Sequence, residues 1–164
     1  MEYERAYNIA WAVKSLLIPH CHQVEIAGSI RRKKAEVKDI EIVAIPNPYE
    51  TGLFESGIAT IVNMWDKVKG YLPCKYTQRM LPEGIKLDLF FATPENWGLI
   101  YAMRTGSAEY SHKVLGSAWK AAGYTSVGGI LTHDGVPVPT RSEEELFELI
   151  GVDWVEPEFR EYHG

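Results

Sequence analysis

The pattern of apolar and polar positions predicts a chain that mixes helices with short strands. Apolar side chains recur at helical spacing in residues 2–18 and again in residues 53–69, so both stretches are predicted as helices. Four apolar or alternating stretches predict strands, at residues 24–27, 39–45, 74–80 and 85–91. The last two flank a Pro-Glu-Gly turn and are expected to pair as an antiparallel hairpin. These elements predict an α+β fold.

The C-terminal part of the chain predicts a second group of helices and strands. Residues 93–104 and 108–122 show helical spacing, and a Thr-Gly-Ser bend separates them. Thr93, which precedes a proline, suits a helix N-cap, and Ser107 suits the N-cap of the second helix. An acidic helix is predicted after Ser142, and residues near the C-terminal end are expected to pack back on this region. Short strands are predicted at 124–131 and 137–139.

Three acidic residues stand in predicted strands. Asp39 and Glu41 are two positions apart, and alternate residues of a strand share a face. Asp88 is a single acid among leucines and phenylalanines, where a charge needs a partner. If the two strands lie side by side, the three carboxylates form a cluster. A divalent cation would offset the repulsion within that cluster.

The order of the motifs resembles that of the nucleotidyltransferase superfamily. It resembles still more closely the palm and thumb of family X DNA polymerases, such as DNA polymerase beta. The motifs are a Gly-Ser-Ile-Arg-Arg turn, an Asp-x-Glu strand, a later strand with one Asp, a Thr-Gly-Ser bend, a Val-Pro-Val-Pro segment before an acidic helix, and a late Glu-Pro pair. The resemblance implies a nucleotidyltransferase palm with its N-terminal helix over residues 1–93, built as a mixed β-sheet flanked by helices. It implies a small C-terminal thumb over residues 94–164.

The resemblance also implies roles for individual residues. The catalytic carboxylates would be Asp39, Glu41 and Asp88, and they would hold two Mg²⁺ ions, for which Mn²⁺ can substitute. Lys86 stands where the family commonly has arginine, and it is expected either to assist the primer 3′-hydroxyl or to form a salt bridge with Asp88. Residues in two places would bind the nucleotide, namely Gly28, Ser29 and Arg32 at its phosphates, and Thr105, Gly106 and Ser107 around its sugar. Met103-Arg104 stands where DNA polymerase beta has an aromatic pair, and Arg104 is expected to reach either a phosphate or a sugar hydroxyl.

The implied function is that of a minimal DNA-directed DNA polymerase. Such an enzyme adds deoxynucleotides to a primer 3′-hydroxyl in gap-filling or repair synthesis, by a two-metal mechanism. The expected partners are a deoxynucleoside triphosphate and primer-template or gapped DNA, and the expected state is a monomer. The separate lyase domain that usually precedes the palm has no counterpart in this sequence, so lyase activity is expected to be absent.

Composition and charge modify this picture. The 164 residues carry a formal net charge of −5, which predicts weak binding to duplex DNA, because non-specific binding depends on Lys and Arg. No apolar run approaches the roughly 20 residues that span a membrane, and no signal pattern is visible. Two cysteines are too few for a disulfide framework, so a cytoplasmic setting without membrane contact is expected. The sequence His20-Cys21-His22 allows either a metal cluster or ordinary turn and strand-edge residues.

Two other functions stay open. A template-independent nucleotidyltransferase that acts on DNA, RNA or another acceptor would use the same chemistry. The acidic composition favours it, whereas a thumb of the kind that grips duplex in the family argues against it. A binding module without turnover is the third alternative, and the complete set of three carboxylates opposes it. Magnesium-dependent turnover separates the enzymes from the module, and template dependence separates the two enzymes.

Overall fold

Each of two structural units in this chain is built around its own sheet. The computed structural model describes residues 1–47 and 57–164. These divide into Met1–Ala92 and Thr93–Gly164. The first unit contains a five-stranded mixed sheet and the second a three-stranded antiparallel sheet, each accompanied by helices. The α+β architecture is therefore as the sequence pattern predicted.

The first unit places two parallel strands at the centre of its sheet. Its helices are α1 (Tyr3–Leu17), α2 (Gly28–Arg31) and α3 (Ile58–Val62), and its strands are β1 (Cys21–Ile26), β2 (Asp39–Pro46), β3 (Asp66–Lys69), β4 (Tyr76–Met80) and β5 (Lys86–Phe91). The strand order is β1-β2-β5-β4-β3. β2 and β5 run parallel, and every other neighbouring pair is antiparallel. The predicted hairpin of β4 and β5 is confirmed.

One face of the five-stranded sheet is the core face. On β2 and β5 it carries Ile40, Ile42, Ala44, Leu87 and Leu89, all 0 % exposed. They belong to the same core as the apolar stripe of α1, whose buried residues are Ala6, Ile9, Ala10, Val13 and Leu17. Burying one large aliphatic side chain stabilises the fold by about 1.5–3 kcal/mol. A one-residue slip in register would lose these contacts, so the core fixes which residues point to the opposite face.

The helix predicted over residues 53–69 is wrong in its second half. Residues 53–56 lie outside the described residues, α3 ends at Val62, and Asp66–Lys69 is the strand β3. Trp65 is buried and prolongs the apolar helical spacing past the end of α3. β3 is an exposed edge strand that pairs with β4 alone. Pairing across the sheet therefore decides the structure here and overrides a local periodicity.

The second unit surrounds its own apolar core. Its helices are α4 (Trp97–Thr105), α5 (Ala108–Tyr110), a π-helical segment (Ser111–Gly116), α6 (Ser117–Ala121) and α7 (Glu143–Ile150), and its strands are β6 (Thr125–Val127), β7 (Ile130–His133) and β8 (Val136–Val138). The core is formed by residues of all the helices and of β7, chiefly Leu99, Leu115, Leu131, Leu146 and Phe147. In the described chain, none of the helices has the length and hydropathy that crossing a bilayer requires.

Capping explains how these helices begin. Ser107 and Ser142 are confirmed as N-caps, because their hydroxyls accept hydrogen bonds from the backbone N–H groups of Tyr110 (3.1 Å) and Glu145 (3.0 Å). The predicted N-cap at Thr93 is wrong. Helix α4 begins only at Trp97, and the Thr93 N–H donates to Asn96 Oδ1 at 2.7 Å in the turn before it. The side chain of Asn96 thus closes a turn at residues that the Thr-Pro signal had predicted to be helical.

The strand predicted over residues 124–131 is two strands. β6 and β7 are separated by Gly128 and Gly129, whose φ angles of 59° and 80° lie in the left-handed region. A turn with positive φ at Asp134 and Gly135 joins β7 to β8. The C-terminal segment packs back on its unit as predicted, and Arg160 is 0 % exposed.

Candidate active site

The parallel pair of β2 and β5 brings three carboxylates to one face of the sheet. In the register of this pair, Glu41 lies directly beside Asp88, and Asp39 lies beside Lys86. Paired residues on neighbouring strands point to the same side, and so do residues two positions apart. Asp39, Glu41 and Asp88 therefore share the face that is opposite the apolar core, and Lys86 accompanies them. We call this set of four residues the carboxylate face.

Negative charge is concentrated on the carboxylate face. Burial raises the pKa of Asp39, and the neighbouring charge of Asp88 raises it further. The ammonium groups of Lys86 and Lys38 act in the opposite direction on the same pKa. Lys86 lies across from Asp39 in this pair, and both of the roles expected for Lys86 stay predictions. The carboxylates thus repel one another and are only partly offset by lysine.

A close approach of backbone to side chain fixes Glu41. Gly28, the first residue of α2, has a φ of +62°, and a Cβ atom added there would lie 2.7 Å from Glu41 Oε2. The N–H of Ala27 donates to the carbonyl oxygen of Glu41 at 2.8 Å. Only glycine fits this turn without strain or displacement of the carboxylate. Ser29 on α2 and Arg32 at its C-terminal end follow Gly28 in the sequence, so the first predicted group of phosphate-binding residues begins at the glycine that contacts Glu41.

Two polar side chains of β4 hold the carboxylate of Asp88. The Tyr76 hydroxyl donates to Asp88 Oδ1 at 2.6 Å, and Gln78 Nε2 donates to the same oxygen at 2.7 Å. Sequence reasoning missed both residues. A signal was present, because the predicted hairpin turn pairs position 78 with position 88, and Tyr76 shares the face of Gln78.

The donor set of the carboxylate face fits a hard divalent cation. Carboxylate oxygens are the protein ligands of Mg²⁺, which also keeps water and substrate phosphate in its shell. Within residues 1–47 and 57–164, no three His, Cys, Asp or Glu side chains stand in an arrangement that could by itself hold a metal ion. The three acids are therefore neighbours on a face, and a cation there would need further oxygen ligands from outside the protein. His20 is the last residue of a short 3-10 helix, and Cys21 and His22 are the first residues of β1, so the three lie where that helix meets the strand.

The second predicted group of nucleotide-binding residues lies in the C-terminal unit. Arg104 is exposed at the end of α4, and Thr105 is fully buried. Gly106 packs on the ring of Tyr110, since a Cβ atom at Gly106 would lie 2.6 Å from Tyr110 Cδ1. The N–H of Ser107 donates to the carbonyl oxygen of Arg160 at 3.2 Å. The C-terminal segment thus braces the Thr-Gly-Ser bend.

A buried ion pair anchors that segment. The Arg160 guanidinium donates through Nη1 to Glu143 Oε2 and through Nε to the carbonyl oxygen of Val155, the latter at 2.8 Å. Its carbon Cζ lies 5.0 Å from the ring centre of Phe147 and 4.8 Å from that of Trp154. Burial raises the pKa of the nearby Tyr110 hydroxyl, and the charge of Arg160 opposes this shift. The ion pair of Arg160 and Glu143 is therefore buried inside the second unit, where each charge balances the other.

Comparison with known families adds one decisive observation. Residues 100–161 match the family model of the DNA polymerase beta thumb. The match relates the chain to family X DNA polymerases and confirms the resemblance that its motifs carry. No curated protein matches the chain. The carboxylate face lies outside the matched residues, so the thumb match is independent of the three acids.

The thumb match includes the bend and the buried ion pair. It also contains four residues that follow the bend on α5 and on the π-helical segment, namely Ala108, Ser111, His112 and Leu115. Ser111 is buried, and its hydroxyl donates to the carbonyl oxygen of Met103 at 2.7 Å, while Leu115 is in the core. Ala108 and His112 are exposed. Two of the four side chains therefore serve packing within the unit.

Proposed function

We propose that the chain is a minimal DNA polymerase of family X type, with a nucleotidyltransferase palm in its first unit. It would transfer a deoxynucleotide from a deoxynucleoside triphosphate to the 3′-hydroxyl of a primer on gapped or primed DNA. The observation that carries the proposal is the carboxylate face, where parallel pairing of β2 with β5 puts Asp39, Glu41 and Asp88 side by side. The thumb match supports it from an independent part of the chain.

The three acids of the carboxylate face share one role in this proposal. Asp39, Glu41 and Asp88 would hold divalent cations, Mg²⁺ in the first place and Mn²⁺ as a substitute. Bound cations supply the positive charge that stabilises the entering and leaving oxygens of phosphoryl transfer. Gly28 keeps the backbone of the turn close to Glu41, which fixes the direction of that carboxylate. Burial raises the pKa of Asp39 and the charge of Asp88 raises it further, so a bound cation would stabilise the ionised acids of this face.

Ser29 and Arg32 are proposed to bind the phosphates of the nucleotide. They follow Gly28 within one short helical turn, and arginine offers phosphate two parallel hydrogen bonds. Arg104 and the Thr-Gly-Ser bend are proposed as the nucleotide-binding element of the second unit. The bend has a defined backbone, because Ser107 caps α5 and its N–H is bonded to Arg160.

A template-independent nucleotidyltransferase is the second candidate. The net charge of −5 favours it, because a protein that grips duplex DNA by itself usually carries a positive balance. The thumb match favours the templated enzyme, since in family X this domain belongs to DNA polymerases. Both candidates use the carboxylate face, and they differ in the acceptor.

Primer extension with Mg²⁺ tests the proposal. Gapped duplex, open primer-template and single-stranded primer are each offered with deoxy- or ribonucleotides. We expect template-matched addition of deoxynucleotides, with the gapped substrate showing whether the downstream end is used. Untemplated addition would favour the second candidate.

The control is Asp39→Ala, which removes one carboxylate, beside Asp66→Ala, which removes an exposed acid of β3. Extension that is lost in Asp39→Ala and retained in Asp66→Ala supports the site. Extension that survives in Asp39→Ala would contradict it.

A further inference from the structure

Asp88 is a buried carboxylate with an uneven hydrogen-bond environment. Asp88 is only 8 % exposed, and Tyr76 and Gln78 both donate a hydrogen bond to its Oδ1. A carboxylate oxygen accepts about two hydrogen bonds along its lone pairs, so two short bonds use the capacity of Oδ1. Neither donor touches Oδ2. The two oxygens of one carboxylate are therefore in different situations.

The pairing of β4 with β5 holds both donors next to Asp88. Gln78 is directly across from Asp88 in the antiparallel pair of β4 and β5, and it is itself 9 % exposed. Tyr76 is two residues away on the same face, opposite Phe90, and its ring stacks on the Phe90 ring with centroids 4.8 Å apart. Strand pairing fixes the amide, and ring stacking fixes the phenol. Both donors are thus held in place before any ligand arrives.

The two donors orient the charge of Asp88 without cancelling it. A tyrosine hydroxyl and a glutamine amide are neutral, so these two donors bring no positive charge to Asp88, which lies directly beside Glu41. A lysine or an arginine could equally have donated hydrogen bonds to a buried acid, but it would also have neutralised the charge of that acid.

We propose that Tyr76 and Gln78 are positioning residues, which hold Asp88 by Oδ1 so that Oδ2 is directed to a divalent cation on the carboxylate face. This inference rests on the proposed function, because it gives that face its cation. It extends the site from three carboxylates to a supporting pair on β4. Outer-shell hydrogen bonds of this kind typically change metal affinity by about 10–100-fold when they are removed.

The test measures metal binding directly. Free Mn²⁺ is followed by electron paramagnetic resonance while it is titrated into the full chain, with and without a deoxynucleoside triphosphate. The variants are Tyr76→Phe, which keeps the ring stacked on Phe90, and Gln78→Met, which keeps the length of the side chain. We expect each to raise the dissociation constant for Mn²⁺ about 10-fold, and the double variant to raise it further.

Matched controls remove the same groups elsewhere in the first unit. Tyr71→Phe deletes a hydroxyl from a side chain that is 78 % exposed, and Gln23→Met makes the same exchange on β1. Both should bind Mn²⁺ as the wild type does. The thermal unfolding midpoint of every variant is measured without metal. If Tyr76→Phe and Gln78→Met lower that midpoint and leave Mn²⁺ affinity unchanged, the two residues are only structural and the inference is wrong.

The Asp88→Asn variant separates this inference from the proposed function. If the wild type binds Mn²⁺ and Asp88→Asn does not, the cation site exists, and the two β4 variants then decide the inference alone. If the wild type and Asp88→Asn bind Mn²⁺ equally, Asp88 holds no cation. That result would overturn the positioning roles together with the metal assignment of Asp88.

Discussion

The two units each bury a carboxylate, and they treat its charge in opposite ways. Glu143 of the second unit is 5 % exposed and forms an ion pair with Arg160, which is fully buried. Asp88 of the first unit is 8 % exposed and receives hydrogen bonds from Tyr76 and Gln78, which are both neutral. Glu143 is neutralised within the fold by Arg160. Asp88 receives no positive charge from its two donors, and Glu41 and Asp39 lie on the same face of the sheet.

This difference distinguishes a buried acid that stabilises the fold from a buried acid that is available to bind a ligand. The Glu143 pair is enclosed by Phe147 and Trp154, whose rings lie against the guanidinium of Arg160. No additional ligand is needed there to balance charge. At Asp88 the hydrogen bonds from Tyr76 and Gln78 orient the carboxylate, and its charge is left for a bound ligand to balance. A buried acid surrounded by oriented neutral donors is therefore a better pointer to a cation site than burial alone.

The largest effect is expected when the charge of the carboxylate face is reduced. Single replacements Asp39→Asn, Glu41→Gln and Asp88→Asn should each lower the rate of nucleotide addition about a thousandfold or more, because most of the acceleration comes from charge and positioning. Single-turnover primer extension measures this loss. Asp66→Asn on the exposed strand β3 is the matched control and should keep its rate.

Equal rates in these variants and the wild type would show that the three acids of the first unit take no part in nucleotide transfer. The comparison between Asp88 and Glu143 would then lose its meaning. A loss confined to Asp88→Asn would instead reduce the site to one residue.

The next largest effect concerns the ion pair of the second unit. Arg160→Met leaves Glu143 buried without its partner, which should cost about 3 kcal/mol in the free energy of unfolding. Urea denaturation followed by tryptophan fluorescence measures this. The double variant Glu143→Leu with Arg160→Met should recover much of the loss, since it removes both charges. If the single variant is as stable as the wild type, the pair does not anchor the C-terminal segment.

A smaller effect is expected at the turn that faces Glu41. Gly28→Ala forces an alanine into the left-handed region and places its Cβ against Glu41, and it should lower stability by about 1–2 kcal/mol. Gly84→Ala is the control, because Gly84 has a similar positive φ and no neighbouring atom within 4 Å. Urea denaturation of both variants separates backbone strain from the contact with Glu41. Equal losses would mean that the contact contributes nothing.

The smallest effect concerns the stability of the metal-free protein. Burial and Asp88 raise the pKa of Asp39, so the ionised carboxylate opposes folding at pH above its folded-state pKa. Asp39→Asn should therefore raise the thermal midpoint slightly at pH 7 in the absence of metal. The gain should disappear as the pH falls below the unfolded pKa of about 3.9, where Asp39 is protonated in both states. A lower midpoint at pH 7 would contradict this sign.

The central elements of the fold could be predicted from the sequence because their periodicities are strong. β2 combines an apolar alternation with two acids at alternate positions, β5 has one acid among leucines and phenylalanines, and α1 has a continuous apolar stripe. Strand β3 could not be predicted, because Trp65 and Val68 continue a helical spacing. Its identity depends on β4, a partner that local pattern does not show.

The candidate site was predictable in part for the same reason. The acids of β2 are two positions apart, so their common face follows from local geometry. Tyr76 and Gln78 acquire a role only through the register that sets Gln78 opposite Asp88. Arg160 could not be recognised as a buried residue from its sequence context, because its partners Glu143 and Phe147 come from a different helix. Long-range contacts of polar residues carry no periodicity.

Pyrophosphate release is the most direct measurement of the central claim, which is that the carboxylate face performs metal-dependent nucleotide transfer. Wild type and Asp88→Asn are each given gapped DNA and deoxynucleoside triphosphates, with Mg²⁺ or with a chelator. We expect release by the wild type in Mg²⁺ alone, and a loss of about a thousandfold in Asp88→Asn. Equal release by the two proteins, or release by the wild type in the presence of the chelator, would contradict the claim.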